Sequence, residues 1–293
     1  MNRRQFLTNA LSVGGGLLLA GCGSSSSDSF AAPLTGAPSI ASQTTSPDYL
    51  TFFEPGDRRY RLFPRQHRVE RLTESGDVLW ALTGPEQGPG QIHFPRHLVG
   101  DENGRFYLLD SSEFGVAVWS EDGQFVRTIP TQTLAGLAYC DGELFVPGSD
   151  FQIQVYSATD GKLLREFGSF GQEVGQFYGP GSLDFDEEKR LHVADMGSGR
   201  VNVFSTSGES LYSYGEGTIR LPLALAADKR GQIAVIDGAE RSILLFGIDG
   251  TLLSSFEPSS AAGQSVQPLL ITHDLSGQIH LLAEIIRQFG GQG

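Results

Sequence analysis

Beyond residue 48 the chain alternates short runs of apolar and β-branched residues with clusters of Gly, Asp, Ser and Asn. Short apolar runs bounded by turn residues predict strands, and no segment settles into the three-and-four rhythm of an amphipathic helix. The clearest stretch, Gly175 to Gly215, predicts four strands over Ser182–Phe185, Arg190–Ala194, Arg200–Phe204 and Ser210–Tyr214. The segments between them, Asp186-Glu187-Glu188-Lys189, Asp195 to Gly199 and Ser207-Gly208, are polar and suit tight reversals.

The same grammar recurs along the chain, and a fixed period outranks any single element. An Asp opens the first hairpin at Asp101, Asp186, Asp228 and Asp274, with a shortened form at Asp141-Gly142, at spacings of roughly 40 to 46 residues. A second signal closes the outer hairpin at Ser75-Gly76, Asp122-Gly123, Asp160-Gly161, Ser207-Gly208 and Asp249-Gly250. Asp-Gly and Ser-Gly supply the positive-φ position that a two-residue hairpin turn demands. Acids follow the second predicted strand at Asp110, Asp195 and Asp237. A repeat of this length holding four short strands is the size of one propeller blade, so the expected fold class is all-β. Six blades are expected, over 48–83, 84–130, 131–168, 169–217, 218–258 and 259–293. The last is short, because predicted strands Gln278–Ala283 and Glu284–Phe289 leave no room for a fourth. Closure then takes a strand from residues 33–47 or 48–54, and five blades with an irregular cap is the other outcome.

Val193-Ala194-Asp195, a short loop and Arg200-Val201-Asn202-Val203-Phe204 resemble the NHL repeat. Ile236-Asp237 with Arg241 to Phe246, and Leu109-Asp110 with Val116 to Trp119, are weaker copies. Gln66-His67-Arg68-Val69 is similar to the first-blade version, without its preceding Asp. Linkers of the Gly-x-Gly-Gln-Phe kind run from Gly88 to Pro95 and from Gly171 to Pro180. The resemblance implies a six-bladed NHL-like β-propeller of four-stranded antiparallel blades over 48–293. It also implies a noncatalytic module that binds other molecules, an expectation that rests on fold-level analogy. The alternative, resembling lactonase relatives of this architecture, is a calcium-dependent hydrolase or lyase. Its central channel would be lined by acidic and amide side chains.

The first residues change the picture, because they read as processing signals rather than structure. Arg3 and Arg4, within Asn2 to Leu7, resemble a twin-arginine export signal, and an uncharged apolar stretch from Ala10 to Ala20 follows. Leu19-Ala20-Gly21-Cys22 resembles a bacterial lipobox, which implies cleavage before Cys22 and a lipid on its thiol. Gly23 in place of Asp points to the outer membrane. Residues 1–21 are therefore expected to be a signal peptide, and 22–47 a lipidated cysteine with a Ser-, Ala-, Thr- and Pro-rich flexible tether. Such a tether reaches on the order of 25 to 30 Å. With Cys22 lipidated, only Cys140 remains, so no intrachain disulfide forms and Cys140 is expected to be a packed core residue. The formal net charge is −13, and about −15 once two leader arginines are removed. That acidity argues against a nucleic-acid partner.

In blades of this kind the loops from strand two to strand three, and from strand four to the next blade, share one face. The binding candidates on that face are Arg96, His97, Phe151, Phe170, Tyr178 and Arg220. Asp195 and Asp237, a few residues before Arg200 and Arg241, are expected to cap turns or form ion pairs within the blade rather than catalyse. His93, His97, His192 and His273 hold inequivalent places in the repeat, so no histidine zinc site is expected. The acidic run Asp184 to Glu188 lacks calcium-loop spacing and reads as a solvated hairpin. The sequence holds no G-x-S-x-G elbow, phosphate loop, H-E-x-x-H or C-x-x-C-H. No catalytic residue, metal or cofactor is therefore assigned, with calcium reserved for the alternative. The expected role is a monomeric, lipid-anchored scaffold of the cell envelope that presents its loop face to a protein, peptide or glycan.

Overall fold

A computed structural model describes residues 49–293, apart from 55, 85–89, 111–114, 132–134, 229, 259–265, 274–278 and 286–293. The expected leader and tether, residues 1–47, lie outside the described residues. The rest is built of antiparallel sheets in chain order. The first sheet joins β1 (Leu50–Glu54), β2 (Arg58–Phe63), β3 (Arg68–Leu72) and β4 (Val78–Thr83). The second joins β5 (Pro95–Gly100), β6 (Phe106–Asp110), β7 (Val116–Trp119) and β8 (Phe125–Ile129). The third joins β9 (Ala138–Cys140), β10 (Glu143–Pro147), β11 (Ile153–Ser157) and β12 (Leu163–Phe167). β13 (Pro180–Phe185), β14 (Leu191–Asp195), β15 (Arg200–Phe204) and β16 (Ser210–Tyr214) form the fourth. β17 (Pro222–Ala227), β18 (Gln232–Asp237), β19 (Ser242–Gly247) and β20 (Leu252–Phe256) form the fifth. Among the described residues, β21 (Val266–His273) and β22 (Ile279–Ile285) make the last.

These are the four-stranded antiparallel blades of a β-propeller, five of them complete, where six were expected. Of the closing segment expected over 48–54, Leu50–Glu54 do not close the last sheet, because Leu50 pairs with Leu62 and Glu54 with Arg58 inside the first blade. The strand break expected between Ala283 and Glu284 is also absent, since β22 runs through it with Glu284 opposite Gln267. No turn residue stands at that seam. β21 lies against β17 on one side and β1 on the other, so the first sheet follows the last around the ring.

The core is a series of layers between neighbouring sheets. Phe106 and Leu108 of β6 pack toward the first blade, while Tyr107 and Leu109 pack toward the third. Ile233 and Val235 likewise face the fourth blade, and Ala234 and Ile236 the last sheet. A strand buried on both faces reads as a continuous apolar run, which is why Phe-Tyr-Leu-Leu carries no polar alternation.

The turn signals among the described residues fall where expected, and the one at Asp274 lies outside them. Asp101, Asp186 and Asp228 each use Oδ1 to accept two backbone N–H groups of their own turn, at 2.8 to 2.9 Å. Gly76, Gly123, Gly161, Gly208 and Gly250 all adopt positive φ, between 74° and 90°. The first strands begin two residues earlier than expected in the fourth blade, at Pro180, and a register shift follows Pro95, Pro180 and Pro222. Proline has no N–H to give the ladder but is tolerated as the first residue of a strand.

Candidate functional site

Two features occupy the face formed by the strand-two-to-three loops and the interblade linkers. The first is set by the acids that end strand two. Asp110 accepts the amides of His93 and Phe94, Asp195 that of Tyr178, and Asp237 those of Arg220 and Leu221, at 2.7 to 3.2 Å. Each buried carboxylate thus fixes the linker arriving from the previous blade, and satisfies itself by doing so. Of the two expected roles, Asp237 takes the cap, accepting the Ala239 amide of its own turn, while Asp195 accepts the Ser198 hydroxyl there. Arg200 leaves Asp195 aside and donates to the carbonyls of Gln172, Glu173 and Gln176, holding the same linker from the other side.

Held this way, the linker ahead of β13 presents an aromatic cluster. Phe170 meets Phe151 edge-on at 4.9 Å between ring centroids and Tyr178 at 4.7 Å. Phe170 is 57 % and Tyr178 38 % exposed. Phe151 is half-buried against the core between the third and fourth blades and holds a left-handed φ of 59°. Three of the six binding candidates therefore come together.

The second feature is a cavity of about 710 Å³ at the loop-face end of the inner strands. Its walls come from β1, β5, β13, β17 and β21, with Ala135 ahead of β9. Buried Leu50, Phe52, Ala224 and Ile271 line it together with Arg65, His67, Arg96 and His97. Arg96 and His97 were expected in a linker; they lie within β5 instead, because the strand starts at Pro95. The His97 ring sits 5.6 Å from that of Phe52. Burial pulls its pKa below the ordinary 6.5, against an opposing pull from Asp184, so the ring is neutral at neutral pH.

Arg65 and His67 were not among the candidates. They belong to the connection from β2 to β3, where strand two ends in Phe63 rather than Asp and is followed by a 3₁₀ turn over Pro64–Gln66. His67 takes a left-handed φ of 52°, its Nδ1 donates to the His93 carbonyl, and its ring meets exposed Phe94 edge-on at 5.1 Å. The missing Asp of the first blade was the available signal. Arg220 stands apart on the same face, 74 % exposed and 2.9 Å from Glu240. Among the described residues no three His, Cys, Asp or Glu side chains cluster as metal ligands. Among the described residues the cavity wall offers arginine, imidazole and the single hydroxyl of Ser182, where calcium takes six to eight oxygen ligands, so these residues do not fit a calcium site. Burial lifts the Cys140 thiol to about 11, which leaves it an inert core residue, as expected.

Sheet geometry and these loops define the chain as a β-propeller, and comparison with solved structures agrees. It is similar to a streptogramin B lyase, with a TM-score of 0.58 and 12 % identity over 82 % of this chain and 91 % of that one. It is similar to a catalytically inactive variant of virginiamycin B lyase from Staphylococcus aureus with quinupristin, with a TM-score of 0.57 and 13 % identity, covering 80 % of this chain and 76 % of that one. A chain of a nidogen/laminin complex gives a TM-score of 0.57 and 17 % identity over 76 % of this chain and 82 % of that one. No family model matches the sequence. These likenesses are of fold, and they span a lyase and a protein that binds another protein.

Proposed function

We propose that this chain is a noncatalytic binding module that docks a protein partner through the loop face, with Phe151, Phe170 and Tyr178 as its anchor. The carrying observation is the exposure of two mutually packed rings on linkers pinned by buried carboxylates. Rigid, partly exposed aromatics supply contact area at little entropic cost, and such residues dominate binding energy at interfaces. A structural neighbour from a complex with laminin supports the protein class of partner. The lyase neighbours bring no catalytic residue to this chain, since their likeness is one of fold.

The same reading holds the propeller at the cell envelope. Arg3 and Arg4 would direct export, and lipid on Cys22 would tether the disc to the outer membrane. The two-stranded sheet is taken as an incomplete sixth blade.

The test is capture of partners from solubilised envelope by the full-length lipidated chain, compared with Phe170→Ala/Tyr178→Ala. Loss of those two rings is expected to weaken capture at least about tenfold, in line with the roughly 2 kcal/mol per anchor residue typical of interface hot spots. Undiminished capture would remove the aromatic cluster from the interface, and enrichment of glycan alone would overturn the protein assignment.

A further inference from the structure

The cavity at the loop-face end of the inner strands is a site of its own, because it shares no lining residue with the aromatic cluster. Much of its wall comes from one repeated place in the fold. β5, β13, β17 and β21 each carry a proline followed by a register shift, at Pro95, Pro180, Pro222 and Pro268. A shift of this kind re-aims the side chains beside it. The second residue after each proline, His97, Ser182, Ala224 and Leu270 in turn, lines the cavity.

Those four residues share a position but not a chemistry. Ala224 and Leu270 have no polar side-chain atom. The Ser182 hydroxyl is satisfied within the ring, accepting the Leu225 amide at 3.1 Å and donating to the Leu225 carbonyl at 3.4 Å. The His97 ring lies 5.6 Å from that of Phe52 and makes no hydrogen bond among the described residues. A neutral imidazole carries one donor and one acceptor, so this position alone of the four brings unused bonding capacity to the wall. Around it the wall is largely apolar: Leu50, Phe52, Leu109 and Ile271 are buried, and Pro64 and Pro95 have no N–H to offer. Water in such a space finds few partners, and an apolar body that displaces it gains. Arg65 and Arg96 also reach the wall, but each has interactions of its own, so neither is assigned to the ligand.

We infer that this cavity binds a small, uncharged molecule with an apolar body, its one hydroxyl or carbonyl group on the His97 ring and its hydrocarbon against Phe52, Leu50 and Ile271. A volume of about 710 Å³ falls within the range that encloses small-molecule ligands. A charged head group brought to His97 would lose its hydration and regain one hydrogen bond, whereas a hydroxyl loses far less for the same bond.

Calorimetric titration of the full-length chain with three probes of one body tests this: 4-phenylbutan-1-ol, 4-phenylbutyrate and 4-phenylbutylamine. The alcohol is expected to bind, and each ion at least about tenfold more weakly. His97→Phe, which keeps a ring beside Phe52, is expected to weaken the alcohol about threefold to tenfold, the loss of one neutral hydrogen bond. Ala224→Leu, which narrows the cavity, is expected to weaken it as well. If His97→Phe does not fold, the nitrogen resonances of the His97 ring in the unaltered chain decide, and saturating alcohol is expected to shift them. An ion bound as tightly as the alcohol, alcohol binding unchanged by either substitution, ring resonances unmoved by saturating alcohol, or no binding of the alcohol would overturn the proposal.

Discussion

The carboxylate of Asp186 accepts two backbone amides of its own turn through Oδ1, while Oδ2 meets Arg190 at 2.7 Å and His192 at 3.0 Å. His192 in turn contacts the Tyr214 hydroxyl at 3.1 Å, and the Asp186, His192 and Tyr214 side chains are buried. The junction is structural, since it lies in the turn between first and second strands, on the face opposite the candidate site. Burial alone would raise the Asp186 carboxyl; the bonds from His192 and Arg190 outweigh it and hold the carboxyl below its ordinary 3.8. The contribution of a depressed acid is full above its unfolded value and is lost as pH falls through the folded one. The melting temperature is therefore expected to fall as pH drops below about 4, and Asp186→Asn is expected to flatten that dependence. At neutral pH the same substitution should cost about 1 to 3 kcal/mol, read by chemical denaturation, because it removes the charged acceptor that Arg190 and His192 share. A pH profile unchanged by the substitution would refute this role.

A rule joins neighbouring blades at the scale of the element. The third residue of four outer strands donates to a carbonyl in the outer turn of the next blade: Trp80 to Glu121, Arg127 to Ala158 and Thr159, Arg165 to Thr206, and Tyr212 to Ile248. The glycine of that turn rests on the previous blade, Gly123 on Trp80, Gly208 on Phe167 and Gly250 on Tyr214. A Cβ at Gly208 would stand 2.6 Å from the Phe167 ring, whereas one at Gly76 meets nothing within 4 Å among the described residues. Both glycines have φ near 90°, so alanine brings the same backbone strain to each. Gly208→Ala should therefore destabilise by about 1 to 3 kcal/mol more than Gly76→Ala, the overpacking alone. Equal losses in urea denaturation would contradict the interblade contact. The turns were legible in the sequence because Asp-Gly and Ser-Gly answer a local backbone demand. The donors were not, since Trp, Arg and Tyr share a position and a bond but no residue type.

Across the whole molecule the same rule marks where the ring departs from its repeat. The third residue of β20 is Ser254, exposed and too short for the interblade bond, and it faces the sheet that has two strands. Gly76, on the other flank of that sheet, is the turn glycine with open space above it. The six-blade count followed from period, and period does not record how many strands each copy completes. The candidate site was legible in part for a related reason. Phe151, Phe170 and Tyr178 lie in loops that the repeat register assigns to one face. The cavity instead draws on five of the six sheets, and a register drawn blade by blade does not show which inner-strand positions converge. On the proposed role, the loop face, and not the outer rim, meets the partner. A photoreactive phenylalanine analogue placed at Tyr178, and separately at exposed Leu211 on the rim, tests it by irradiation of intact cells. A discrete protein adduct from position 178 and none from 211 is the predicted result; adducts from 211 with none from 178 would contradict it.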